Sequence, residues 1–162
     1  MRTHLFPRYA RDVDDEGVQA WAALLRSHAA VVGRLEREME AERGLGLSWY
    51  DVLLSLYRAP APGLRMQDLA EAVVLSRTRV SRVVDDMEAA ELVQRQPNPA
   101  DGRSTIVVVT QKGRTAFRTA APVYLRGIAR HFTDLLSAEE LECVRTALLK
   151  VVAAHASPRA AR

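Results

Sequence analysis

A single cysteine, Cys143, leaves no partner for an intramolecular disulfide, so no disulfide framework holds this chain together. The 4 histidines are scattered and show no metal-ligand spacing. No glycine-rich phosphate loop of Walker or dinucleotide-binding spacing occurs, and there is no nucleophile elbow. No cofactor is therefore expected, and the chain is read as a protein other than an enzyme. No apolar run approaches a transmembrane span. Residues 1–12 have no apolar segment of signal-peptide type, which places the expected location in the cytoplasm. Internal repeats and low-complexity segments are also missing.

What is present fits an ordinary globular protein. The 162 residues are 48% hydrophobic and 27% charged, enough for one compact domain, or for a small domain with appended helices. A net charge of +3 is compatible with a nucleic-acid partner and too mild to demonstrate one.

The most informative stretch is residues 75–88. Val80, Val83, Val84 and Met87 recur at the spacing of one helical stripe. Ser76 stands where an N-cap belongs. Opposite the stripe lie Thr78, Ser81 and Arg82, flanked by Arg77 and Arg79. The charges oppose the helix dipole: Arg77, Arg79 and Arg82 come first, Asp85, Asp86 and Glu88 last. Favourable placement of each such charge is worth about 0.3–1 kcal/mol. Selection for stability alone would not order them this way, whereas contact between the N-terminal half and a polyanion would. The bland alternative is a solvated face that happens to be basic.

The surrounding chain gives this helix a setting. Asp14 is placed to cap a long helix whose stripe (Val18, Trp21, Ala22, Leu25, Ala29, Val32, Leu35, Met39) runs to about Glu42. Gly44 and Gly46 end it. Ser48 and Asp51 suggest a capping-box variant opening a second helix with Trp49, Val52, Leu53 and Leu56 inward. Pro60, Pro62 and Gly63 require a turn. Met66, Leu69, Ala70 and Val73 form a short helix, and a turn at residues 74–75 joins it to the basic one. That pair reads as a helix-turn-helix. Residues 92–96 and 104–109 are expected strands around a polar seven-residue tip at 97–103, a hairpin that would form a wing. Thr110 is placed to cap a helix carrying Phe117, Ala121, Tyr124, Ile128, Phe132 and Leu135, with a kink expected at Pro122. Ser137 and Glu140 make a capping box for a last helix with Leu141, Val144, Leu148 and Val151 along one side.

The expected fold is therefore mainly α with a small β-hairpin wing: a winged helix-turn-helix at 48–110, flanked by dimerisation helices at 14–47 and 111–155. Flexible ends are expected at 1–13 and 156–162, with one structural domain per subunit. The small central region cannot bury the apolar sides of the terminal helices. Packing of those helices from two chains into a two-fold homodimer is the simplest solution.

Asp101, Gly102 and Arg103, followed by Val109, Thr110, Gln111, Lys112 and Gly113, resemble the wing of MarR-type transcriptional regulators. Leu75, Ser76, Ser81, Arg82, Val83 and Val84, then Leu92, Val93 and Arg95, are similar to that family's recognition helix and first wing strand. The resemblance extends from about Trp21 to Leu149. It implies a homodimer on palindromic double-stranded DNA, most often a repressor, with the recognition helix in the major groove and the wing in the minor groove. Arg103 corresponds to the wing arginine and Asp101 to the acidic residue holding it; an ordinary turn-stabilising ion pair is the alternative. Thr78, Ser81 and Arg82 are assigned to the DNA face, with Ser76, Arg77 and Arg79 at phosphates or the groove edge.

Many relatives release DNA on binding a small aromatic or phenolic compound. Candidate ligand residues are Trp21, His28, Asp51 and Arg95. Asp51, Arg82 and Arg95 resemble part of a urate-responsive set, but Trp21 lies too near Asp51 in sequence for that branch. A capping role for Asp51, a wing-base contact for Arg95 and a packed position for His28 are the structural alternatives. Cys143 lies off the last helix's apolar stripe, far from the N-terminal position of the family's sensing thiols. A redox-sensing regulator using Cys143, and a winged module that binds protein instead of DNA, are the competing functions.

Overall fold

The computed structural model describes residues 15–59, 62–73 and 77–155. The expected caps at Asp14 and Ser76, the turn at 74–75, residues 60–61 and the two expected flexible ends lie outside the described residues, as does the side chain of Arg77. In chain order the elements are α1 (Asp15–Arg43), α2 (Leu47–Arg58), β1 (Leu64–Arg65), α3 (Met66–Ala72), α4 (Arg77–Ala89), β2 (Val93–Asn98), β3 (Asp101–Val109), α5 (Gln111–His131) and α6 (Ala138–His155). The fold is mostly helical, with a three-stranded antiparallel sheet in the order β1-β3-β2.

One core lies under the helix-turn-helix. Val80, Val84 and Met87 of α4 are fully buried against Leu69 of α3, Val52 and Leu53 of α2, and Val93 and Val107 of the sheet. The other side of α4 is left to solvent. A second contact joins the C-terminal half of α1, through Leu35 and Met39, to α5. Ion pairs edge it: Glu42 to Arg126 at 2.9 Å, and Glu38 to His131 at 2.8 Å and Arg130 at 3.3 Å. The hydrogen bond from His131 holds the Glu38 carboxyl below its ordinary value.

Several local expectations change. Ser48 does not cap α2. The helix begins two residues earlier, with Gly46 as a cap that makes no side-chain hydrogen bond, and Glu36 of α1 accepts the Leu47 N–H at 2.9 Å. A carboxylate from the preceding helix thus does what Ser48 and Asp51 were expected to do. The seven-residue wing tip shrinks to a turn at Pro99 and Ala100, because β2 runs on to Asn98 and β3 starts at Asp101. The expected two-stranded hairpin gains a third strand. Leu64 pairs with Val107 and Arg65 with Ile106, a strand too short to show alternation in sequence. α5 continues as one helix through Pro122 and stops at His131, so Phe132 and Leu135 fall beyond it in a tight 3-10 turn.

The capping box of α6 forms as expected. The Glu140 N–H donates to Ser137 Oγ at 3.2 Å, and the Ser137 N–H donates to Glu140 Oε2 at 2.8 Å. No residue of α6 is buried. Leu149, Val151 and Val152 there, with Val18, Trp21, Leu24 and Leu25 on α1, leave large apolar side chains exposed. No helix among the described residues is long and apolar enough to cross a membrane.

Candidate nucleic-acid interface

Burial of the stripe on α4 decides where its polar residues point. Thr78, Arg79, Ser81 and Arg82 are all exposed on the helix surface left free by the core. α4 ends in a hydrogen-bonded reversal. Glu91 takes a left-handed φ of 62°, the Glu91 N–H donates to Glu88 O, and the Leu92 N–H donates to Met87 O at 2.9 Å. This turn delivers the chain directly into β2, so the wing follows the helix with almost no slack.

The wing tip is held by its own side chains. Asn98, only 7% exposed, accepts the Ala100 N–H at 3.0 Å and donates to Ser104 Oγ at 3.0 Å. Ser104 in turn donates to the Asp101 carbonyl. Asp101 Oδ1 accepts the backbone N–H of Arg103 at 3.1 Å. Asp101 thus fixes the main chain of Arg103, and the arginine side chain stands exposed at the tip. Sequence reasoning overlooked Asn98. Its signal was the Asn-Pro pair, a turn former whose amide can bond to the backbone two residues on.

The wing base is locked by the motif around Thr110. The Thr110 hydroxyl donates to the carbonyls of Glu91 (2.7 Å) and Leu92 (3.1 Å) and accepts the Gly113 N–H at 3.0 Å, capping α5. Gly113 lies so close to the chain before β2 that a Cβ there would fall 2.0 Å from Leu92 O.

Arg95 of β2 reaches back to α4. Its N–H donates to Glu88 Oε1 at 2.8 Å, its Nη1 bonds to Glu88 Oε2, and its Nη2 lies 2.6 Å from Asp85 Oδ1. The Arg95 backbone N–H and guanidinium hold the Glu88 carboxyl below its ordinary value. Two of the three acidic residues that oppose the helix dipole thereby gain a cationic partner from the wing.

The four candidate ligand residues do not come together within one chain. Trp21 and His28 are exposed on the outer part of α1, and Arg95 is engaged with α4. Asp51 is half-buried near Tyr50 and Tyr124, whose rings lie 4.5 Å apart. Burial pushes its carboxyl above the ordinary value, and Glu36 adds to the effect. None of the four lines the cavity beside Trp49 and Lys112 or the one beside Tyr57 and Arg114. Cys143 is exposed on α6.

Comparison with known proteins agrees with this architecture. A family model described as MarR family matches residues 43–104, from the end of α1 to the wing. The crystal structure of AbsC, a MarR family transcriptional regulator from Streptomyces coelicolor, is 33% identical, with 90% of this chain and 97% of that one covered and a TM-score of 0.79. The chain belongs to the MarR family. It is a MarR-family transcriptional regulator, not an enzyme. Over 142 residues it is 26% identical to the HTH-type transcriptional regulator MhqR of Bacillus subtilis, covering 88% of this chain and 94% of that protein. The fold is shared by the MarR regulator Sco3205 of S. coelicolor, solved in complex with DNA, at 23% identity and a TM-score of 0.83, with 96% of each chain covered.

Proposed function

We propose that this MarR regulator acts in the cytoplasm as a homodimeric repressor on a palindromic operator. α4 enters the major groove with Thr78, Ser81 and Arg82 toward the bases, while Ser76, Arg77 and Arg79 meet phosphates or the groove edge. The wing places Arg103 in the minor groove, with Asp101 as its backbone anchor. The observation that carries this reading is the division of α4: one side wholly buried, the other exposing hydroxyl and guanidinium groups beside a wing that presents an arginine. Guanidinium groups suit a narrow minor groove, where negative potential concentrates. Repression requires nothing more than tight operator binding over a promoter.

The dimer is proposed from the exposed apolar surfaces of α1 and α6, which no other described residue of their own chain covers. A two-fold axis through these helices lets two recognition helices address half-sites about 34 Å apart.

Binding to DNA upstream of its own gene is expected to weaken steeply with salt. A dimer making six to ten phosphate contacts loses about 10³–10⁵ in affinity between about 50 and 200 mM salt. Arg103→Ala is expected to lower operator affinity about tenfold while leaving the thermal midpoint nearly unchanged, as for an exposed side chain. Titrations of fluorescent operator at several salt concentrations check both. Salt-independent binding would favour a protein-binding module, and wild-type affinity in Arg103→Ala would remove the wing assignment.

A ligand response is proposed at a cavity of about 390 Å³ between the end of α2 and the sheet, lined by Tyr57, Gln94, Gln96 and Arg114 among others. Tyr57 packs on Phe117 at 4.8 Å between ring centroids. An aromatic ring against Tyr57, with its carboxylate or phenol near Arg114 and the glutamines, fits that lining. A thermal-shift screen of small aromatic acids tests it. Hits that persist unchanged in Arg114→Ala would place the ligand elsewhere.

A further inference from the structure

We propose that Arg95 is a positioning residue that, by clamping Asp85 and Glu88 of the recognition helix to the wing strand, sets the angle between helix and wing and thereby operator specificity. The inference rests on the reading that both α4 and the wing contact DNA.

Stability alone does not account for the clamp. The side chains of Arg95, Asp85 and Glu88 are 28%, 60% and 37% exposed. Ion pairs with that much solvent contact contribute roughly 0–1 kcal/mol. Against this, two carboxylates lie in the C-terminal part of a helix, where its dipole disfavours them. They also place negative charge on an element that must approach phosphates. Orientation is what the arrangement does provide. A planar guanidinium bonds carboxylates in a fixed geometry. Here it is joined by its own backbone N–H, so strand and helix are tied by both main chain and side chain.

The lever explains why that matters. Among the described residues, α4 and the wing are otherwise joined by the turn through Glu91, by the core they share at Leu92, Val93 and Val107, and at the wing base by Thr110. From Arg95 to the tip is about five residues, or about 16 Å at about 3.3 Å per residue. A swing of about 10° at the base displaces the tip by about 3 Å, the length of a hydrogen bond. Arg103 would then miss the minor groove while α4 kept its place in the major groove.

Glu88→Gln is the decisive variant, because charge and clamp predict opposite signs. Removing a carboxylate near DNA raises or preserves affinity for every sequence if only charge matters. The clamp predicts that non-specific affinity is kept or raised while operator affinity falls about tenfold. It also predicts that Arg103→Ala costs far less in the Glu88→Gln background than in the native chain, as coupled residues do. Thermal midpoint and circular dichroism accompany the titrations. Asp85→Asn, at the more exposed carboxylate, is read in the same way and serves if Glu88→Gln does not fold. Operator binding at or above the native level, or an Arg103→Ala penalty equal in both backgrounds, overturns the clamp while leaving the wing assignment intact. An Arg103→Ala change without effect in the native chain removes the wing assignment and the clamp together.

Discussion

Gly113→Ala is expected to lose at least about 3 kcal/mol of stability, which for a chain of this size lowers the thermal midpoint by about 10 °C. The added methyl would lie 2.0 Å from Leu92 O and 2.9 Å from Val109 Cγ2. The first is a main-chain atom at the entrance to β2, and it is also bonded by Thr110. Neither side can yield cheaply: moving α5 away breaks the Thr110 cap, and moving Leu92 strains the reversal at Glu91. Differential scanning calorimetry with and without operator DNA measures the loss. A midpoint within two degrees of the native protein, by the scale of about 2–4 °C per kcal/mol, would mean that the α5–β2 contact is looser than its geometry implies. The result bears on function because the same contact seats the wing on α5. A partly folded Gly113→Ala chain is expected to lose operator affinity before it loses its helices.

The second large effect concerns assembly. The double variant Leu25→Glu, Val152→Glu is expected to sediment at the mass of one 18.0 kDa chain. Its operator affinity is expected to fall by at least about a thousandfold, because a single half-site supplies only part of a specific binding energy. In an isolated chain both positions are already in water, at 49% and 64% exposure. Replacing an exposed apolar residue by a good helix former changes monomer stability by only about 0.5 kcal/mol. A strong effect therefore requires a partner over these helices. A native chain that already sediments as a monomer at micromolar concentration would end the dimer proposal, and with it the palindromic operator.

Most of α4 could be read from residue order. The stripe on α4 needed only helical periodicity, and it left one solution for Thr78, Ser81 and Arg82. Thr110, the α6 capping box and the glycine stop after α1 followed from short-range hydrogen-bonding rules that operate within four residues. Three of the misreadings share a cause: each concerned a group whose partner lies beyond the reach of a four-residue rule. Glu36 displaced Ser48 as the cap of α2 from eleven residues upstream, on another helix. β1 exists because Leu64 meets Val107, and two residues carry no periodicity by themselves. The wing tip tightened because Asn98 and Ser104 bond across the hairpin, turning an expected loop into strand. For the site, the order of charges on α4 prompted the reading of contact with an anion. It did not reveal that Arg95 answers Asp85 and Glu88 from the next element.

By itself the sequence determined the helical periodicities, the helix-turn-helix order and the family to which the chain belongs, because these depend on spacing along a continuous segment. The tertiary structure alone decided that Arg95 ties wing to helix, that Asp101 holds Arg103 through the backbone, and that Gly113 is required by a carbonyl twenty-one residues before it. It also separated the four candidate ligand residues, which sequence had grouped by type. Contacts between distant segments depend on how elements dock. Docking is set by the shape of the buried surfaces, a property that local residue patterns do not carry.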